Sequence, residues 1–80
     1  MNIEASVEKF ILEELLSGSR GNKISPDESL VSSGVIDSLA LLRLIAFLEE
    51  KFGVTVNDDE VVPENFESIN VIKAFVESRI

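Results

Sequence analysis

The 80-residue chain carries fifteen acidic and seven basic side chains, a net charge of −8, and contains neither cysteine nor histidine. Without cysteine there is no disulfide, thiolate nucleophile or cysteine zinc site, and without histidine the usual general base of serine hydrolases and the commonest metal ligand are missing. The acidic balance disfavours nucleic acid, whose binding depends on Lys and Arg neutralising phosphates.

The first predicted element is an amphipathic helix from Ile3 to Leu16, which we expect to end at Ser17-Gly18. Its apolar residues recur at spacings of three and four and so share one face. They are Ile3, Val7, Phe10, Ile11 and Leu15. The polar, Gly- and Pro-containing residues 17–29 predict a long loop, with Ile24 and Leu30 as its anchors to the core. Long loops in small domains are often functional.

The second predicted helix runs from Ser38 to Phe52, with Asp37 as its N-cap and Gly53 as its stop. One apolar stripe is the expected core face, formed by Leu41, Leu44, Ile45, Leu48 and Phe52. A second apolar stripe points elsewhere and contains Leu39, Leu42 and Ala46. Ser38 projects between the two stripes. The second stripe is a candidate docking site, although isolated exposed apolar residues are ordinary.

Two further helices complete the predicted fold. Because Pro63 cannot continue a helix, the third should be short, near residues 58–62. The fourth should begin after the cap Ser68 and run to about Arg79. Its apolar stripe is Ile69, Ile72, Phe75 and Val76. The composition, with 45% hydrophobic and 28% charged residues, is that of one globular domain.

The segment Gly34-Val35-Ile36-Asp37-Ser38-Leu39, with a helix following it, resembles the phosphopantetheine attachment motif of acyl and peptidyl carrier proteins. The order of predicted helices extends the resemblance over nearly the whole chain. A three-residue Asp-Ser-Leu motif is weak alone, but its position and the helix order make it specific. The resemblance implies an all-α fold: a four-helix bundle of acyl-carrier type, with a long loop between helices 1 and 2 and a short third helix. Residues 1–80 would form a single carrier domain.

The resemblance also implies a function. A phosphopantetheinyl transferase would move 4'-phosphopantetheine from coenzyme A onto the Ser38 hydroxyl, and the thiol of this arm would carry acyl or aminoacyl groups as thioesters. The chain would be a carrier and not an enzyme, a monomer in the cytoplasm, without membrane insertion. Its other partners would be the enzyme that loads the arm and the downstream synthase enzymes. A phosphodiester at a helix N-terminus is also electrostatically reasonable.

Ordinary structural roles compete with these assignments. Ser38 has the residue type favoured at helix N-termini on structural grounds alone. Asp37 is either a cap only or a cap that also orients the serine or a metal ion for the transferase. The acidic run at residues 58–60 invites a calcium interpretation, but the spaced ligands and central glycine of an EF-hand loop are absent. We therefore expect no metal site.

The candidate docking surface combines the second apolar stripe with charged neighbours. Its predicted members are Leu39, Leu42, Arg43, Ala46, Glu49, Glu50, Asp58 and Asp59. The acidic ones would steer basic partner surfaces, an effect that salt screens. The alternative is that they form a solvated face, as most charge runs do.

The chain departs from the family in one respect. Carriers of fatty acid synthesis usually have acidic residues early in the helix after the serine, where Ala40 and Arg43 stand here. The apolar run after Ser38 looks more like peptidyl, aminoacyl or D-alanyl carriers and specialised stand-alone carriers. We therefore predict service in a dedicated biosynthetic pathway.

Two other classes of protein remain open at this stage. One is an unmodified helical module for protein-protein interaction. The other is a small hydrolase using Ser38, which the absence of histidine disfavours unless Lys51 replaced it as base.

Overall fold

The computed structural model describes residues 2–15 and 24–80, and its regular structure is helical throughout. The first helix, α1, spans Ile3–Phe10 and continues as a π-helical segment, Ile11–Leu15. The second, α2, spans Ser38–Phe52, and the third, α3, spans Ile69–Glu77. The predicted all-α fold is confirmed. The predicted helix end at Ser17-Gly18 and the first part of the long loop lie outside the described residues.

Side-chain caps fix where the helices begin. Asp37 has extended backbone angles, and its Oδ1 accepts a hydrogen bond from the Ala40 amide at 2.8 Å. Ser68 caps α3 in the same way, accepting from the Val71 amide at 3.2 Å. Gly53 ends α2 in the left-handed conformation, with φ of 71°, which a glycine adopts at little cost. These three sequence predictions are confirmed.

The core is built from all three helices and from the loop before α2. The predicted α2 stripe is buried at Leu44, Ile45, Leu48 and Phe52, and α1 packs against α3. The loop contributes Ile24, Leu30 and Ile36, each at most 2% exposed. Ile24 and Leu30 are therefore core anchors, as predicted. Within the described residues, no helix is both long and apolar enough to cross a membrane.

The predicted short third helix is replaced by two separate 3-10 turns, Asp58–Glu60 and Pro63–Asn65. Pro63 accounts for the break. It disfavours helical angles in the residue before it, and Val62 is extended, with φ −130° and ψ 148°. The last helix ends at Glu77, two residues before the predicted end.

An arginine joins the end of the chain to the first of these turns. Arg79 forms an ion pair with Glu60, and its guanidinium lies 4.7 Å from the centre of the Phe75 ring. Arg79 Nη1 also donates to the Thr55 carbonyl at 3.4 Å. Through these contacts the residues after α3 hold the segment between α2 and α3.

We expect Leu30→Ala to lower the free energy of unfolding by about 2–5 kcal/mol, because it leaves a cavity in the core. Leu42→Ala is the matched control, since Leu42 is 58% exposed whereas Leu30 is fully buried. It should change stability by less than about 0.5 kcal/mol. Urea denaturation followed by circular dichroism measures both. Equal losses in the two variants would contradict the role of Leu30 as a core anchor.

Candidate functional site

Ser38 is the first residue of α2, and the chain before it is tightly fixed. Gly34 makes the turn, with φ of 86°, and its amide donates to the Val31 carbonyl at 3.1 Å. Ile36 is buried, and its amide donates to the Leu30 carbonyl at 3.0 Å. With Asp37 capping the helix, the backbone on both sides of the serine is held in place.

The Ser38 side chain itself is exposed and makes no hydrogen bond to any described residue. A serine that served only as an N-cap would accept a hydrogen bond from an amide two or three residues later. Asp37 already performs that task. The hydroxyl of Ser38 is thus free for chemistry at a helix N-terminus, where the helix dipole favours a negatively charged product.

A groove of about 340 Å³ opens beside Ser38. The loop forms one wall, with Val31 and Gly34, and Pro63 of the second 3-10 turn also lines it. Leu41, predicted to lie in the core, is half-buried and lines the same groove. An accessible hydroxyl next to a mainly apolar groove fits a serine-linked prosthetic group with a flexible arm. Ser38 would hold that group, and its thiol would supply the acyl-carrying chemistry that this cysteine-free chain lacks.

The second apolar stripe of α2 faces outward, as predicted. Leu39 is 69% exposed, and Leu42 and Ala46 are exposed as well. Ala46 borders a second groove, of about 530 Å³, where Phe10 of α1 stacks on Phe47 with ring centroids 4.4 Å apart. An apolar strip therefore runs from the residue after Ser38 to the contact between α1 and α2.

The predicted charged residues of this surface differ in exposure and in whether another residue binds their side chains. Arg43 is half-exposed and pairs with Glu14 of the π-helical segment at 3.4 Å. Glu49 is partly buried, and its carboxylate accepts a hydrogen bond from the Val56 amide at 3.0 Å. Glu50 is exposed at the rim of the second groove. Asp58 and Asp59 are exposed on the first 3-10 turn. No cluster of three or more His, Cys, Asp or Glu residues suited to a metal ion occurs in residues 2–15 and 24–80.

Glu67 is a residue of this region that the sequence analysis missed. One carboxylate oxygen accepts hydrogen bonds from the Ser29 hydroxyl at 2.6 Å, the Val31 amide at 3.1 Å and the Ser32 amide at 3.2 Å. The other accepts from the Ser32 hydroxyl at 3.2 Å, and the Glu67 carbonyl accepts from the Leu30 amide at 2.6 Å. We call this set of contacts the Glu67 clamp. A glutamate just before a helix cap gives no pattern that would predict a partner 36 residues away.

The clamp affects the protonation of Glu67. The hydrogen bond from the Ser29 hydroxyl, followed by that from the Ser32 amide, lowers the pKa of Glu67 below its ordinary value. Partial desolvation opposes this shift but is outweighed. The carboxylate is therefore ionised, and acts as a hydrogen-bond acceptor, throughout the neutral range.

Comparison with known proteins identifies a family and several relatives of the chain. A family model described as "Phosphopantetheine attachment site" matches residues 11–76. An acyl carrier protein of Nitratidesulfovibrio vulgaris (strain DP4) is 38% identical over 60 residues, 75% of this chain and 76% of the relative. One of Desulforapulum autotrophicum is 42% identical over 60 residues, 75% and 77% of the two chains. One of Exiguobacterium sibiricum is 30% identical over 78 residues, 98% and 94% of the two.

The chain belongs to the acyl carrier protein family of phosphopantetheine-binding carriers. Members of this family carry their cargo on a phosphopantetheine group and do not themselves catalyse a reaction. Family membership implies a phosphopantetheinyl transferase and acyl-handling enzymes as partners. The predicted cofactor, 4'-phosphopantetheine, and the predicted non-enzymatic class are confirmed.

We expect the stability difference between the wild type and Glu67→Gln to depend on pH. A pKa lowered by folding stabilises the native state above the ordinary glutamate pKa, and this contribution is lost as the pH falls through the lower native pKa. The difference should therefore be largest near neutrality and shrink in the acid range. Urea denaturation at a series of pH values measures it.

The matched control is Glu64→Gln, which removes the same charge from an exposed glutamate on the second 3-10 turn. Its stability relative to the wild type shows the effect of removing one negative charge from this region without disturbing the clamp. A Glu67→Gln difference that stayed constant from neutral to acid pH would contradict the ionised clamp.

Proposed function

We propose that Ser38 is the residue that receives 4'-phosphopantetheine and that the loaded protein delivers acyl or aminoacyl groups, held as thioesters, to partner enzymes. The observation that carries this proposal is the exposed Ser38 hydroxyl, which has no hydrogen-bond partner among the described residues although it stands at a helix N-terminus. Its Asp-Ser-Leu sequence lies inside the matched region, residues 11–76. The apolar groove beside it supports the same assignment.

Asp37 has two compatible roles in this proposal. Its Oδ1 is committed to the cap through the Ala40 amide. The residue is exposed, so its second carboxylate oxygen is accessible to the transferase or to a metal ion that the transferase brings. Asp37 would thus fix the start of α2 and also help to orient Ser38 during the transfer.

We propose the outward apolar stripe of α2 as the surface on which partners dock. Leu39 and Leu42 provide the apolar contact next to Ser38, and Ala46 extends it toward the second groove. Exposed Glu50, Asp58 and Asp59 would attract basic partner surfaces. Arg43 and Glu49 would contribute at the rim, where Arg43 is oriented by Glu14 and Glu49 by the Val56 amide.

We further propose that the protein works in a dedicated pathway as a cytoplasmic monomer. Ala40 and Arg43 replace the acidic residues that general fatty acid enzymes usually contact, and Arg43 is exposed at 47% of its side chain. A cation there disfavours a basic partner surface, because like charges across an interface are unfavourable. Both acyl and aminoacyl cargo are compatible with this proposal.

The carrier assignment predicts a change in mass. Incubation of the apo-protein with coenzyme A and a promiscuous phosphopantetheinyl transferase should add one phosphopantetheine group to the wild type. Ser38→Ala should gain nothing, because it lacks the acceptor hydroxyl. Ser25→Ala is the matched control, an exposed serine of the loop that lies outside residues 30–36, and should be modified like the wild type. Intact-protein mass spectrometry measures all three.

If the Ser38→Ala variant gained phosphopantetheine, the attachment site would be another residue and the assignment of Ser38 would be wrong. An unmodified, folded wild type with no arm already attached would instead favour the alternative of an unmodified interaction module. Circular dichroism on each sample establishes that the protein is folded.

The proposal of a dedicated pathway predicts poor use by general fatty acid enzymes. With a general ketosynthase, we expect the acyl-loaded wild type to show a kcat/KM at least about tenfold lower than that of a fatty-acid carrier, because Arg43 opposes docking. The Ala40→Glu, Arg43→Glu double variant should recover part of this difference, and salt should weaken the recovery. Efficient elongation of the unaltered protein would refute the dedicated-pathway proposal.

A further inference from the structure

The Glu67 clamp joins the loop before Ser38 to the start of α3. Glu67 lies directly before the α3 cap Ser68, so the backbone from which its side chain extends is itself fixed. Its carbonyl and both carboxylate oxygens take five hydrogen bonds from residues 29–32. Four of these bonds go to the carboxylate and one goes to the backbone carbonyl.

The clamp reaches the serine through a short chain of backbone contacts. The Leu30 amide donates a hydrogen bond to the Glu67 carbonyl at 2.6 Å. The Leu30 carbonyl accepts a hydrogen bond from the Ile36 amide at 3.0 Å. Residues 30–36 therefore form a closed turn. Its first residue, Leu30, is bound to Glu67, and its last residue, Ile36, lies two positions before Ser38. Buried Leu30 and Ile36 fix the ends of this turn in the core.

The same turn forms a wall of the groove beside Ser38. Val31, whose amide donates to the Glu67 carboxylate, and Gly34 both line the groove, together with Leu41 of α2. Displacement of the turn would change the shape of the groove and the surface around the serine together. Glu67 itself does not line the groove and makes no contact with Ser38 that the structure records.

We propose that Glu67 is a positioning residue for the modification of Ser38. It holds the turn of residues 30–36 in the one arrangement that a phosphopantetheinyl transferase recognises. This inference rests on the proposed attachment at Ser38. Without the carboxylate, the turn samples other arrangements, and only a fraction of the molecules can be bound productively at any moment.

The test is steady-state modification of the apo-protein by a phosphopantetheinyl transferase with saturating coenzyme A. If only a fraction of the carrier molecules has the turn in the recognised arrangement, the apparent KM for the carrier rises by the reciprocal of that fraction. The kcat at saturating carrier is unchanged. We expect Glu67→Ala to raise KM about fivefold or more with kcat within about twofold of wild type, because it removes charge-assisted hydrogen bonds to two amides. Glu67→Gln keeps one carbonyl oxygen as acceptor and should lie between Glu67→Ala and the wild type.

Two control variants separate positioning from other effects. Glu64→Gln removes the same charge from the same region without touching the clamp and should keep the wild-type KM. Ile72→Val trims a fully buried side chain of α3 and lowers stability without altering the turn. It too should keep the wild-type KM. A KM increase in Ile72→Val equal to that in Glu67→Ala would mean that stability alone governs recognition, which overturns the proposal.

Amide hydrogen exchange gives a readout independent of the transferase. The amides of Val31 and Ser32 should exchange at least about fivefold faster in Glu67→Ala than in Glu64→Gln, since their acceptor is gone. Faster exchange with an unchanged KM would overturn the positioning role while leaving the attachment at Ser38 intact. Failure of the wild type to be modified at Ser38 would overturn the proposed function and, with it, this inference.

Discussion

The burial of the loop before α2 is the constraint on which the rest of the structure depends. The three helices do not fill the core by themselves. The loop adds Ile24, Leu30 and Ile36, and the segment between α2 and α3 adds Val54 and Phe66. Because the loop side chains are buried, residues 24–37 have a defined path over the helices. The path ends at Asp37, where the capping bond starts α2. The position of Ser38 thus follows from core packing more than from any contact of its own.

Hydrogen bonds further restrict the loop that the buried apolar side chains anchor. The Glu8 carboxylate accepts a hydrogen bond from the Ile24 amide at 2.8 Å. The backbone amide of Asn70 donates to the Pro26 carbonyl at 3.1 Å. Further along, Glu67 binds residues 29–32. Several acidic side chains therefore act as internal acceptors, while others, such as Asp58 and Asp59, remain exposed. Bonds from neutral amides leave these carboxylates charged, so they still contribute to the acidic field of the molecule, although some of their oxygens are occupied by internal donors.

Local signals were sufficient to predict the helices and the serine. Asp37 and Gly53 mark the limits of α2 by side-chain chemistry and backbone freedom that act within a few residues, and the apolar spacing identifies its buried and exposed faces. The divided third helix was not predicted, because Pro63 indicates an interruption but not how two 3-10 turns share the segment. The acceptor roles of Glu67 and Glu49 could not be predicted from the sequence either. Their acceptor roles depend on which amides the folded chain brings near them, and for Glu67 these lie 35 and 36 residues away.

Under the proposed docking on the exposed stripe of α2, the size of that stripe bears on how long the carrier stays on each partner. Leu39 and Leu42 are the large apolar side chains that this helix leaves mostly exposed, and a contact centred on two leucines is well below the area of a stable complex. Differences in affinity among related complexes lie mainly in the rate of dissociation. Docking through so small a contact would therefore give a short residence time on each enzyme. Rapid release suits a carrier that must visit several enzymes in succession, because an interface that held it longer would limit throughput.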